Sequence, residues 1–202
     1  MEEEKKLIQQ VLHGDHQAFA QLVERYEDRV YGLCLRMSND REEAKDLAQE
    51  AFFKAWRGLR FYKAEAGFST WLYRLTTNVC IDHLRQAKRR SAISLTASDE
   101  EAVEFDVEDP SPTPEEQLQD QMRKQAVEQA MARLEEEFRL VLTLRVIEER
   151  SYDEIAEILD LKVGTVKSRL ARAREKLKKL LLQDGNDFFS FTVQKDREED
   201  VP

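Results

Sequence analysis

The sequence predicts an all-α protein, with an N-terminal helical bundle and a C-terminal helix-turn-helix domain joined by a flexible acidic linker. Three observations carry this expectation. Apolar residues recur at steps of three and four through several long segments, the spacing of one buried helix face. Six glycines and four prolines in 202 residues are few for a turn-rich sheet protein, and no segment shows sustained two-residue alternation. The charge is also segregated along the chain, which marks where one unit stops and the next begins.

The elements follow in order. Residues 16–37 place Phe19, Leu22, Val23, Tyr26, Val30, Leu33, Cys34 and Met37 on one stripe. Residues 42–57 do the same with Ala44, Leu47, Ala48, Ala51, Phe52, Ala55 and Trp56. A third helix, 68–88, is buried through Phe68, Leu72, Leu75 and Val79, with Tyr73, Cys80 and Leu84 on its flanks. Residues 91–115 carry Pro110, Pro112 and Pro114 and read as an extended linker. Helices over 115–134 and 136–149 come next, the second turning Phe138, Val141, Leu142 and Val146 inward. The expected division is therefore 1–90, a linker at 91–115, 116–182, and an acidic tail at 183–202.

The formal net charge is −9, from 41 acidic against 32 basic side chains. An acidic total ordinarily argues against a nucleic-acid partner. Here the deficit is local: residues 91–121 hold ten acids and no Lys or Arg, and 183–202 hold six acids and two bases. Residues 1–90 carry a net +2 and 151–182 a net +3. No run of about 18 apolar residues suggests a membrane span. The acidic, polar start argues against a secretory signal, and two cysteines make no disulfide framework, so a cytoplasmic location is expected. His13 with His16, and Cys80 with His83, have metal-ligand spacing but lie far apart in the sequence, so no metal is expected. No Gly-rich phosphate loop, paired-carboxylate site or nucleophile motif is present. The chain reads as a non-enzyme without a cofactor.

The outer helix faces carry the information. On 42–57, Asp46, Glu50, Phe53 and Arg57 lie opposite the buried stripe, as in a partner surface or on an ordinary solvated face with one exposed Phe. On 68–88 the narrow exposed strip is Trp71, Arg74, Asn78 and Arg85, running on into Lys88, Arg89 and Arg90. Phe61, Tyr62 and Phe68 add aromatic faces just upstream. Cations attract phosphate, aromatic planes stack on bases and Asn reaches a base edge, a set suited to unstacked single strands. The same aromatics also suit a core, and the basic run suits a helix C-terminus.

The strongest signal is 151–182. Ser151 to Glu154 form a capping box, Asp160 to Lys162 make a turn, and a longer basic helix follows. Opposite its buried stripe lie Gly164, Ser168, Ala171 and Arg172, three small residues and an Arg suited to a guanine. Lys167, Arg169, Arg174, Lys176, Lys178 and Lys179 surround them, placed for phosphates. From Lys162 to Lys179 there are eight bases and one acid, Glu175. A merely solvated helix usually interleaves the two signs.

The strings DREEAKDLAQEAFFKAW (40–56), FSTWLYRLTTNVCIDHLRQAKRR (68–90) and LRVIEERSYDEIAEILDLKVGTVKSRLARAREKL (144–177) resemble the bacterial RNA polymerase sigma factors of the sigma-70 family, extracytoplasmic-function group. The resemblance covers nearly all of 8–182. It implies a subunit that binds core RNA polymerase, recognises promoter DNA at two elements and promotes initiation. It places Asp46, Gln49, Glu50 and Phe53 against the polymerase. It gives the minus-ten single strand to the strip from Tyr62 through Phe68, Trp71, Arg74, Asn78 and Arg85, continued by Lys88, Arg89 and Arg90. Lys167, Ser168, Ala171, Arg172 and Arg174 fall to the minus-thirty-five duplex, with Arg145 supporting a phosphate. It threads the acidic linker toward the polymerase cleft, and it implies an anti-sigma factor, membrane-bound or soluble. A helix-turn-helix regulator acting on duplex DNA without the polymerase is the competing reading; it has no need of the Trp71–Arg85 strip. Two features depart from the family. Lys162 is a poor cap for the helix that follows it. The tail's Phe188, Phe189 and Phe191 are read either as part of a frayed terminus or as docking on the basic helix.

Overall fold

The computed structural model describes residues 2–64, 66–93 and 114–183. Among them the secondary structure is helical throughout. The first unit comprises α1 (Glu2–Leu12), α2 (His16–Ser38), α3 (Arg41–Gly58), a 3₁₀ turn (Leu59–Phe61) and α4 (Phe68–Ile93). The second comprises α5 (Pro114–Ala132), α6 (Glu136–Leu142) running into a π-helical turn (Thr143–Ile147), α7 (Tyr152–Leu159) and α8 (Val163–Gln183). Of the linker expected at 91–115, residues 91–93 belong to α4 and 114–115 to α5, and residue 183 of the expected tail ends α8; the remainder, 94–113 and 184–202, lies outside the described residues.

Local chemistry sets these boundaries. Asp15 caps α2 by accepting from the Gln17 and Ala18 amides at 2.8 and 3.2 Å, and Asp40 caps α3 through the Glu43 amide at 2.8 Å. Asn39 ends α2 in the left-handed conformation, φ 59°, which Asn tolerates better than most residues. The resulting turn folds α3 back onto α2, and Leu22, Val30, Leu33, Ala44, Ala51 and Ala55 seal the seam. The alanines on α3 let the two backbones approach closely. α4 closes the bundle with Leu72, Val79 and Cys80 fully or nearly buried. The charged first segment, for which the sequence suggests no element, is a helix because Leu7, Ile8 and Val11 form one buried stripe. Glu3 pairs with Arg25 at 2.8 Å, and the Tyr26 hydroxyl donates to Glu4.

In the second unit the expected single helix over 136–149 gives way at Thr143 to a wider π turn. Val146, expected inside, is 61% exposed because the turn shifts the helical phase. α7 begins on the predicted capping box: Ser151 accepts from the Glu154 amide at 3.2 Å, and Glu154 accepts from the Ser151 amide at 2.9 Å. Asp160 ends α7 in the left-handed region, φ 53°, and α8 departs after Lys162, whose carbonyl accepts from Thr165 and Val166.

The units meet where α4 packs on α7. Tyr73 of α4 is fully buried, its ring 4.5 Å from the Arg150 guanidinium and its hydroxyl donating to Glu148. Burial, reinforced by that carboxylate, pushes the Tyr73 hydroxyl well above its usual range. Arg150 also donates to Ser69 at 3.2 Å and to Glu154 at 3.1 Å. Arg139 reaches the Arg36 and Met37 carbonyls at the end of α2, and Lys88 pairs with Glu136 at 2.6 Å.

Ser151→Ala is expected to lower the unfolding free energy by about 0.5–2 kcal/mol, read from denaturant midpoints, while Ser151→Asp retains most of it. Glu154 gives a pH signature. Partial burial raises its carboxyl, but the Ser151 amide and hydroxyl, together with Arg150, hold it below the usual carboxylate range. A depressed folded value means that its stabilisation is present above the unfolded value of about 4.3 and is lost as pH falls through the folded one. Stability measured between about pH 5 and pH 3 is therefore expected to fall less steeply in Glu154→Gln than in the unmodified chain.

Candidate nucleic-acid interface

Three surfaces hold the predicted site residues. On α3, Asp46, Gln49, Glu50 and Phe53 are all exposed, with Phe53 at 59%. Glu50 pairs with Lys54 at 2.8 Å, and the Arg57 guanidinium lies 5.5 Å from the Phe53 ring. This face presents an aromatic between carboxylates and a cation, with nothing else in the described fold covering it.

The second surface is built by the turn after α3 and by α4. Tyr62, Phe68 and Trp71 form one aromatic cluster, with Tyr62–Trp71 centroids 5.2 Å and Phe68–Trp71 centroids 5.6 Å apart. Phe68 does not face the solvent. It is 2% exposed, sits at the first position of α4 and contacts Tyr26 beneath it, so it supports the other rings and offers no stacking plane. Trp71 is half-buried over Gly58, where an added Cβ would come within 3.3 Å of the indole. Glycine at 58 therefore gives Trp71 its seat. Tyr62 is half-buried too, its hydroxyl donating to the Ala66 carbonyl at 2.7 Å. Asn78, Arg85, Lys88, Arg89 and Arg90 are exposed along the same helix, and Arg74 is half-buried. Phe61, 69% exposed with the Arg60 guanidinium 4.6 Å from its ring, is the aromatic of this region with the most open face.

The third surface is the helix-turn-helix. α8 buries Val166, Leu170 and Ala173 against α6 and α7, which turns Gly164, Lys167, Ser168, Ala171, Arg172 and Arg174 out to solvent. The Ser168 hydroxyl donates to the Thr165 carbonyl at 3.0 Å. Arg145 is half-buried; it donates to the Arg150 carbonyl at 3.0 Å and lies 5.1 Å from the Tyr152 ring. Sequence reasoning missed the acidic triplet that opens α6. Glu135 pairs with Lys176, Glu136 with Lys88 and Glu137 with Arg169, so one short acidic run meets cations from both basic surfaces. The motifs with metal-ligand spacing are occupied otherwise: His16 stacks on Trp56 at 5.1 Å, and His83 meets Glu43 at 3.0 Å.

The same two units appear in comparisons with known proteins. The model of sigma-70 region 2 matches residues 22–90, and that of sigma-70 region 4 matches residues 124–177. RNA polymerase sigma-H factor of Pseudomonas aeruginosa is 40% identical over 183 residues, covering 89% of this chain and 94% of its own. The extracytoplasmic-function (ECF) sigma factor SigW of Bacillus subtilis is 38% identical, covering 88% and 96%. The chain is an ECF sigma factor of the sigma-70 family. As such it acts in promoter recognition and transcription initiation. Among solved structures, the sigma factor RpoE of Bartonella quintana, in complex with the anti-sigma factor NepR, aligns with a TM-score of 0.67 and 23% identity. That alignment covers 81% of this chain and 96% of the other and agrees on the fold. In this sigma factor the region 2 match spans α3 and most of α2 and α4, and the region 4 match spans α6, α7 and α8 as far as residue 177. No helix among the described residues is long and apolar enough to cross a membrane.

The exposure of Arg172 beside three small residues generates a prediction. Arg172→Ala is expected to weaken binding of a duplex carrying the upstream promoter element by about 1–3 kcal/mol, measured by fluorescence anisotropy. Lys178→Ala, farther along the helix, should cost less, weaken binding equally across sequences and make the salt dependence shallower.

Proposed function

We propose that residues 1–90 bind core RNA polymerase and open the minus-ten element, and that residues 116–182 read the minus-thirty-five element as duplex. On this reading 91–115 is the acidic connection between them and 183–202 a tail outside both activities. The observation that supports this division is the contrast between the two DNA-facing surfaces. α4 presents half-buried aromatics beside Asn78 and a basic run, which suits bases already out of the stack. α8 presents small residues and one Arg among cations, which suits an intact major groove.

The individual roles follow from that chemistry. Asp46, Gln49, Glu50 and Phe53 engage the polymerase, the exposed ring filling an apolar socket and the carboxylates meeting bases around it. Trp71 and Tyr62 offer their rings to an unstacked base, Asn78 contacts a base edge, and Arg74, Arg85, Lys88, Arg89 and Arg90 follow the backbone. Lys167, Ser168, Ala171, Arg172 and Arg174 read and grip the upstream duplex, and Arg145 meets a phosphate beside them. The protein works in the cytoplasm, and an anti-sigma factor, soluble or membrane-bound, is the regulatory partner that membership of the family leads us to expect.

In vitro transcription with purified core polymerase tests the reading. Adding the protein should create new start sites; unchanged start sites together with tight binding of operator DNA by the protein alone would sink it. Within that assay, Asn78→Ala should slow opening, seen as reduced permanganate reactivity, while leaving upstream duplex binding intact. Phe53→Ala should weaken association with core polymerase by about 1–2 kcal/mol without changing DNA affinity.

A further inference from the structure

Tyr152 opens α7, and two cations from other elements meet on its ring. The Arg145 guanidinium, from the π turn, lies 5.1 Å from the ring centroid, and the Lys167 ammonium, from α8, lies 5.5 Å from it. Both fall within about 6 Å, the range in which the negative face of an aromatic ring attracts a cation. Arg145 is fixed a second time by its bond to the Arg150 carbonyl at 3.0 Å. Ser151, the residue before Tyr152, is held by Glu154 at 2.9 Å, so the half-buried ring, packed against the core, sits on a capped and ordered helix start.

The electrostatic setting separates this pair from other cations of the same unit. Arg169 and Lys176 each meet a carboxylate of the acidic triplet. Among the described residues no carboxylate pairs with Arg145 or Lys167, and the ring is what they share. Two like charges held around one ring repel each other, a Coulomb cost that the ring quadrupole offsets only in part. A phosphate beside them would offset that repulsion. Lysine and arginine side chains also lose rotamer freedom when they bind an anion, and a ring that holds them beforehand reduces that loss.

We infer that Tyr152 is a positioning residue for DNA: its ring holds Arg145 and Lys167 together as a two-cation clamp on the backbone phosphates of a duplex. The clamp contributes affinity without reading bases. It rests on the duplex reading of α7 and α8 given above. It also assigns the ring, and not the hydroxyl, as the working part of Tyr152.

Because phosphate contacts carry no sequence, the probe is a mixed-sequence duplex of roughly 30 base pairs, about three helical turns. Binding of the full chain is followed by anisotropy across a salt series. Tyr152→Leu is expected to weaken binding about five- to thirtyfold and to make log affinity against log salt shallower by about 1. Tyr152→Phe, which keeps the ring, should restore both. Tyr152→Met, which fills similar space without a π face, should behave like Tyr152→Leu, and unfolding midpoints identify any variant that has lost its fold. Lys167→Gln should then cost less affinity in the Tyr152→Leu background than in the unmodified chain. Additive effects, or a Tyr152→Met variant with full affinity and an unchanged salt slope, overturn the clamp while leaving the duplex reading standing. An unmodified chain that fails to bind the duplex even at low salt overturns the duplex reading, and the clamp with it.

Discussion

Arg150 is the residue around which the two units are fitted together. Its side chain is 11% exposed, and a guanidinium cannot give up its proton to escape burial, so every surrounding group must accommodate the charge. The Tyr73 ring, the Ser69 hydroxyl and the Glu154 carboxylate do so, coming from α4 on one side and α7 on the other. The register of α7 on α4 is thereby tied to one charge. Glu154 serves twice, closing the cap that starts α7 while neutralising Arg150. Arg150 serves twice as well, because its carbonyl holds Arg145, which stacks on Tyr152 at the edge of the DNA-facing surface. Contact between the units and the shape of the duplex surface thus depend on the same few residues.

Electrostatics in this sigma factor works through placement. The whole chain is acidic, yet α8 and the end of α4 are rich in cations. The triplet Glu135 to Glu137 sits between those two basic surfaces and meets one cation from α4 and two from α8. Each pair has at least one well-exposed partner and contributes little to stability by itself. Their effect is on which cations remain available to phosphate: Lys167, Arg172 and Arg174 are exposed, whereas Arg169 and Lys176 already face carboxylates.

Where one residue's neighbours in sequence decide its fate, the sequence was legible. The capping box at Ser151, the turn at Asp160 to Lys162 and the outward face of α8 follow from short-range rules, and the structure has each of them. So do the buried stripes of α2 and α3. The π turn at Thr143–Ile147 was not legible, because a 3.6-residue period continues through Val146 without a break in composition. Phe68 was read both on the buried stripe of its helix and among base-stacking rings, because an aromatic near cations suits either; its contact with Tyr26, 42 positions earlier in the chain, decides for the core. The joint at Arg150 pairs side chains 75 and 81 positions apart, and nothing in the local pattern announces it. Resemblance to a family supplied roles for surfaces, but it could not supply these contacts.

The two cysteines, set aside above as too few for a disulfide framework, have a consequence of their own. Cys34 and Cys80 are fully buried between α2 and α4, their sulfurs 3.8 Å apart, and the Cys80 thiol together with burial drives the Cys34 thiol far above its usual range. Thiolate, not thiol, attacks alkylating reagents, which disfavours Cys34, and burial keeps reagents from both sulfurs while the helices stay together. Thiol labelling consequently becomes a clock for separation of α2 from α4, timing the opening of the first unit alone while the second, which has no cysteine, contributes no background.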